Sequence, residues 1–94
     1  MQFEWDENKN RINQEKHGIS FEEAEEVFDD ALQIAKLEHR FNYFEERWIT
    51  LGATKKEKLL VVANLFFTDE GEEIIRIISA RKANNKEREI YEKC

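Results

Sequence analysis

Cysteine is almost missing from this chain: the only one is Cys94, its last residue. No intrachain disulfide can form, and a zinc site built on cysteines is excluded. Such cysteine use suits a reducing cytoplasm. No apolar stretch approaches the roughly 20 residues of a membrane span. The acidic N-terminal segment also lacks the basic and apolar regions of a signal peptide, so neither export nor anchoring is expected. Glycine is scarce, with three residues in 94, and none of them builds a phosphate-cradling loop. No carboxylate and histidine cluster has metal-ligand spacing, so no metal or cofactor is expected. With the single thiol at a chain terminus, Cys–His nucleophilic chemistry has no basis. Proline is absent and 38% of residues are charged, yet the strongly patterned apolar runs argue against disorder. One soluble domain, residues 1–94, with room for one site is the expectation at this length.

Positive charge is also short. The net charge of −6 would ordinarily count against a nucleic-acid partner, because phosphate contacts supply much of that affinity. The distribution says more: residues 1–50 hold six Lys and Arg against thirteen Asp and Glu, a net of −7, whereas residues 76–94 hold six against three, a net of +3. The end of the chain is a basic island on an acidic protein.

Phe3-Glu4-Trp5 reads as a short extended stretch whose aromatics anchor the terminus. Asp6 is placed to cap a helix from about Glu7 to His17, and Gly18 fits the position that ends it. Ile12 is almost the only apolar residue inside that helix, so Trp5 and Phe3 are expected to tie it down. Ser20-Phe21-Glu22-Glu23 has the capping-box pattern, with Phe21, Ala24, Val27, Phe28 and Ala31 forming a buried stripe. The acidic residues opposite read as a solvated face or as a docking surface for a basic partner. From Leu32 the period changes to two, giving an edge strand over Leu32–Leu37 and a second strand over Tyr43–Leu51. Gly52–Lys58 is a polar connection. Leu59–Phe67 is apolar on both faces and reads as a central strand. A turn at Thr68–Gly71 leads to the last strand, which runs into a helix over about Ala83–Lys93. The fold class is α+β: two N-terminal helices, a four-stranded antiparallel meander sheet and a C-terminal helix.

Arg76 sits among Ile74, Ile75, Ile77 and Ile78 in that last strand, and alternation places the isoleucines on both faces. It should be half buried and needs a partner; a structural ion pair with a glutamate and a functional role are both open. Arg81, Asn84, Arg88 and Tyr91 are spaced three, four and three residues apart, a helical stripe suited to phosphate contact and base stacking, or else a solvated face whose arginines pair with glutamates.

Phe3-Glu4-Trp5-Asp6, Lys9, Asn13, Lys16-His17-Gly18, Phe21, Glu23-Ala24 and Val27-Phe28-Asp29 make up the first half of a pattern that continues with Glu46-Arg47, Gly52, Ile75-Arg76-Ile77-Ile78-Ser79-Ala80-Arg81-Lys82-Ala83, Glu87-Arg88 and Tyr91. Nearly end to end, it resembles the BrnT family, the toxin halves of bacterial type II toxin–antitoxin pairs. The resemblance implies a RelE-like fold and a ribonuclease that cleaves RNA without metal. It also implies neutralisation by a BrnA antitoxin that wraps the toxin and binds promoter DNA, so that DNA is contacted only through the antitoxin, with a heterotetramer as one admissible assembly.

Metal-free cleavage uses the neighbouring 2′-hydroxyl as nucleophile and needs a base, an acid and positive charge around the phosphorane. The candidate catalytic residues are Arg76 and Arg81 on the scissile phosphate, Glu46 or His17 as base, and Tyr91 for stacking or proton donation. Lys16, Arg47, Asn84 and Arg88 are the candidate RNA-binding residues. His17 can equally bond the last carbonyls of its helix, and Glu46 can equally be the buried partner of Arg76. The rival to a toxin nuclease is a catalytically weak or inactive module that binds the antitoxin and modulates autorepression, a reading the acidic balance favours. Direct DNA binding is the weakest reading, since no helix-turn-helix pattern is present.

Overall fold

The computed structural model describes residues 1–38 and 47–93. Its sheet has five strands, β1 (Gln2–Glu4), β2 (Ile34–Glu38), β3 (Arg47–Ala53), β4 (Leu59–Asp69) and β5 (Glu72–Lys82), in the spatial order β1-β5-β4-β3-β2. Strands β2 to β5 form the expected antiparallel meander. The four-stranded, purely antiparallel expectation is corrected by β1, which pairs parallel with β5 through Gln2, Phe3 and Glu4 opposite Ile74, Ile75 and Arg76. Three residues are enough because each face adds a contact. Phe3 packs on Phe28 with ring centroids 5.5 Å apart and the planes tilted by 52°, and Glu4 pairs with Arg76 at 2.7 Å.

Helix α1 (Glu7–His17) starts where Asp6 accepts the Asn8 and Lys9 amides, and ends at Gly18 in the left-handed conformation, φ 71°. Trp5 and Phe3 pack on the core just ahead of α1, and buried polar side chains hold the helix itself. Its buried residues are Asn10 and Asn13, whereas Ile12 is exposed. Asn13 donates to the carbonyls of Ile19 (2.9 Å) and Ala80 (2.8 Å) and accepts the Ala80 amide (3.2 Å). Its side chain thus completes the outer edge of β5 beyond the reach of β1, as a neighbouring strand would. Asn10 accepts the Phe21 amide at 2.8 Å and donates to Glu22 at 2.9 Å, satisfying a donor that helix α2 (Phe21–Glu25) leaves unpaired in its first turn.

Ser20 caps α2 through the Glu23 amide. The Glu23 carboxylate lies on Lys58 at 2.8 Å. A 3₁₀ turn over Glu26–Asp29 follows. This tighter period buries Val27 but carries Ala31 out to the surface, which shortens the expected apolar stripe. The acidic face is more engaged than a solvated one, since Glu22 and Glu23 are bonded as above and Glu26 accepts the Lys55 amide.

Two apolar clusters sandwich the sheet. Ile19, Phe21, Ala24 and Val27 pack on Leu60, Val62, Ile75, Ile77 and Ala80 on the helix face. On the other face Leu51, Leu59 and Val61 meet Ile34, Ile49, Ala53, Ala83 and Tyr91. Tyr91 belongs to helix α3 (Asn85–Glu92), which begins two residues later than expected because the Ala83 amide still bonds Leu59 at 3.0 Å and prolongs the ladder.

Gly52 is required by a close approach. A Cβ there would lie 2.8 Å from Val27 Cγ1 and 3.2 Å from its carbonyl oxygen. Gly52→Ala is therefore expected to cost about 1–3 kcal/mol through overpacking, read as a lower urea midpoint at unchanged slope.

Candidate functional site

One local irregularity in β5 decides the geometry of the site. Arg76 and Arg81 are five positions apart, an odd separation that in a regular strand puts two side chains on opposite faces. The pairing of β5 with β4 slips between Ala63↔Ser79 and Asn64↔Ile77, so one extra residue, Ile78, is accommodated as a β-bulge. Beyond it the alternation is reversed. Arg81, Ser79 and Arg76 then stand opposite Val61, Ala63 and Leu65, alternate residues of β4 that share a face. Both arginines lie on the face away from α1 and α2. They face β4 residues four positions apart, which at ~3.3 Å per residue is about 13 Å along the strand, so they form a track and not the floor of a single phosphate pocket.

A groove of about 400 Å³ opens on this face, lined by His17, Glu38, Arg47, Ile49, Val61, Ala63, Ser79, Ala80 and Arg81. Arg47 pairs across β4 with Leu65, whose other neighbour is Arg76. His17 arrives from the last turn of α1, which Asn13 fixes against Ala80. An apolar hollow of about 300 Å³ lies on the opposite face among Met1, Phe28, Gln33, Ala35, Trp48, Thr50, Asn64, Phe66 and Ile75. Among the described residues its wall has no ionisable side chain.

Both arginines of the track are held by carboxylates that the sequence reading did not assign. Arg76 Nη1 donates to Glu4 Oε2 at 2.7 Å, with the two side chains 39% and 42% exposed. Arg81 donates from Nη1 to Glu87 Oε1 and from Nη2 to Glu87 Oε2, each at 2.8 Å. The fork-to-fork bond from Arg81 is the main reason that the Glu87 carboxyl lies below its ordinary range; Arg81 is raised in turn. Glu4 lay within the extended Phe3-Glu4-Trp5 stretch, and Asn84 followed three residues later by Glu87 is a capping-box pattern visible in the sequence.

The remaining candidates fall in different places. Arg81 belongs to β5, Asn84 is the cap of α3, and Arg88 and Tyr91 lie on the helix itself, so the four do not form one helical stripe. Asn84 accepts the Glu87 amide and gives its own to Glu87. Tyr91 donates its hydroxyl to Asp30 Oδ2 at 2.5 Å, and Asp30 also accepts the Ala53 amide at 2.8 Å and the Leu32 amide at 2.9 Å. Burial pushes the Asp30 carboxyl up, but these hydrogen bonds outweigh it and its net shift is downward. The same bond pushes Tyr91 up to about 12. Lys16, His17 and Arg88 are exposed. Glu46 lies outside the described residues, and among those residues no group of three or more His, Cys, Asp or Glu could hold a metal ion.

Residues 5–87 match the family model described as ribonuclease toxin, BrnT, of type II toxin–antitoxin system. The chain belongs to the BrnT family. The match takes in α1, the whole meander and the strand-to-helix junction up to Glu87. No curated protein matches the chain in sequence. Membership in this family makes it a ribonuclease toxin of a type II system and implies an antitoxin partner. No helix is long and apolar enough to cross a membrane among the described residues.

The Tyr91 tether of this BrnT-family chain has a pH signature. Tyr91 keeps its proton above its ordinary pKa of 10, so the bond's contribution is complete below pH 10 and is lost as pH rises through about 12. Asp30 is lowered, so its contribution is present above the ordinary carboxyl range and fades in acid. In Tyr43→Phe, which leaves Tyr91 as the only tyrosine, the phenolate absorbance is expected to titrate near 12. Asp30→Asn should bring that midpoint back toward 10.

Proposed function

We propose that the groove on the open sheet face is the site of a metal-independent endoribonuclease that cleaves single-stranded RNA by 2′-hydroxyl attack. The observation that carries this reading is the convergence of His17, Arg47 and Arg81 on one groove, with Arg76 further along the same face, in a chain of a ribonuclease toxin family. The 2′-oxygen bonds to phosphorus, the bond from phosphorus to the 5′ oxygen breaks, that oxygen takes a proton from water and leaves as a 5′-hydroxyl, and a 2′,3′-cyclic phosphate remains. His17 takes the 2′-hydroxyl proton as general base, with Glu46 as the other candidate base. Arg81 stabilises the charge that develops on the scissile phosphate. Arg76 and Arg47 hold phosphates further along the track, and Lys16 and Arg88 guide the flanking strand. Asn84 and Tyr91 serve this site by fixing α3, since the Asn84 side-chain oxygen and the Tyr91 hydroxyl are both engaged within the protein.

The partner in this reading is a BrnA-like antitoxin in the cytoplasm. It covers the toxin, contacts promoter DNA on behalf of both chains, and can assemble with the toxin as a heterotetramer.

The decisive experiment incubates the partner-free protein with single-stranded RNA in excess EDTA. Cleavage that depends on Arg81 is the expected result. Intact RNA at high protein concentration, with Arg81→Ala indistinguishable from the unsubstituted protein, would sink the proposal. One observation favours a second reading: both track arginines are already paired with carboxylates, on a chain of net charge −6. In that reading the protein is a weak or inactive module that binds the antitoxin and modulates its repression. Expression of the toxin alone separates the two, because a binding module leaves growth unaffected.

A further inference from the structure

Glu87 does more than a helix cap requires. In a capping box one oxygen of the third helical residue accepts the amide of the cap residue, and glutamine serves as well as glutamate. Here Glu87 Oε1 accepts the Asn84 amide at 2.8 Å, and Asn84 returns the bond to the Glu87 amide at 2.8 Å. The second oxygen and the negative charge are surplus to the cap. Both are used by Arg81, which places Nη1 and Nη2 on the two Glu87 oxygens.

Counting donors on Arg81 shows what is left. A guanidinium has five N–H groups. Nη1 gives one to Glu87 and one to the Lys82 carbonyl at 3.2 Å, and Nη2 gives one to Glu87. Among the described residues, the remaining Nη2 hydrogen and Nε–H are left to form the other edge of the same plane, a second fork sized for two phosphate oxygens, on a side chain that lines the groove. An arginine 45% exposed would otherwise keep most of its rotamer freedom. Glu87 lies in the first turn of α3, where the partial positive charge of the helix start offsets some of its repulsion toward a phosphate.

We infer that Glu87 is a positioning residue for RNA, holding Arg81 by one fork so that its other fork meets a substrate phosphate. This rests on the reading of the groove as an RNA site.

The test is Glu87→Gln, which keeps an acceptor for the Asn84 amide, and with it the cap, but destroys the two-oxygen fork. Two readouts are taken in parallel, each with and without Arg81→Ala: cleavage of single-stranded RNA, and binding of a 2′-deoxy oligonucleotide, which lacks the nucleophile and cannot be cut. The sign of the binding change is diagnostic. Removing a negative charge from an anion site should tighten binding by general electrostatics, whereas loss of positioning weakens it. The expected result is binding several-fold weaker and cleavage about 10-fold or more slower, at an unchanged unfolding midpoint, with no further loss when Glu87→Gln is added to Arg81→Ala.

Glu87→Gln that binds as tightly as the unsubstituted protein or more tightly, or that loses the same factor with and without Arg81, overturns the inference. A protein that binds without cutting, with the Glu87→Gln pattern intact in binding, supports positioning while removing the nuclease reading. Failure of the unsubstituted protein to bind overturns both.

Discussion

Arg81→Ala is expected to slow RNA cleavage by about 10²–10³-fold, the usual consequence of deleting one donor aimed at charge that develops in a transition state. Its effect should fall mainly on kcat, with a smaller rise in KM, because a phosphate held by several cations keeps its other contacts in the ground state. The fold should tolerate the change. The ion pair with Glu87 is partly exposed, such pairs contribute little to stability, and Glu87 retains the Asn84 amide. Arg76→Ala makes the internal comparison. About 13 Å along the strand, Arg76 can meet only a more distant phosphate, so its loss should raise KM several-fold and leave kcat nearly unchanged. Single-turnover cleavage at saturating protein separates the two variants, and equal kcat losses would place both arginines at the scissile bond.

The largest effect on stability is expected from Asn13→Ala, a loss of about 3–5 kcal/mol. Three backbone groups depend on this one side chain, the carbonyls of Ile19 and Ala80 and the Ala80 amide. Each buried group left without a partner costs about 1–3 kcal/mol. Asn13 is 6% exposed and Ala80 1%, which leaves little room for water to take its place. Asn13→Asp should be no rescue, since a carboxylate would face two carbonyl oxygens. Asn8→Ala, on the exposed side of the same helix, should change stability by no more than about 0.5 kcal/mol. Chemical denaturation gives the comparison, and a loss below about 1 kcal/mol for Asn13→Ala would mean that the β5 edge is satisfied in another way. Because α1 carries His17 to the groove, a folded Asn13 variant should also be impaired in cleavage beyond its loss of stability.

Where the sequence was legible, the cause was local. Asp6, Gly18 and Ser20 mark helix ends because their side chains or backbone conformations act within three or four residues. The run from Leu59 to Phe67 announces a central strand because both its faces are apolar. Asn13 was legible only as a member of a family pattern. A polar residue on a polar helix carries no sign that its side chain serves a strand edge 67 residues later. Tyr91 read as part of a stripe because helical spacing was continued back through Arg81, whereas the ladder keeps Arg81 in β5 and the helix begins only at Asn85.

Legible in the chain alone were the α+β class, the starts of α1 and α2, the order of the meander strands, the basic junction at the end of the chain and the resemblance to the BrnT family. All of these follow from neighbours in the chain or from the pattern taken as a whole. Long-range packing alone settles that β1 adds a fifth, parallel strand, that Asn13 seals the β5 edge, and that Arg76 and Arg81 share a face. The last depends on where one extra residue is accommodated in a ladder. That choice is made by the packing of β5 against β4 and the helices, and it reverses the face of every residue beyond it.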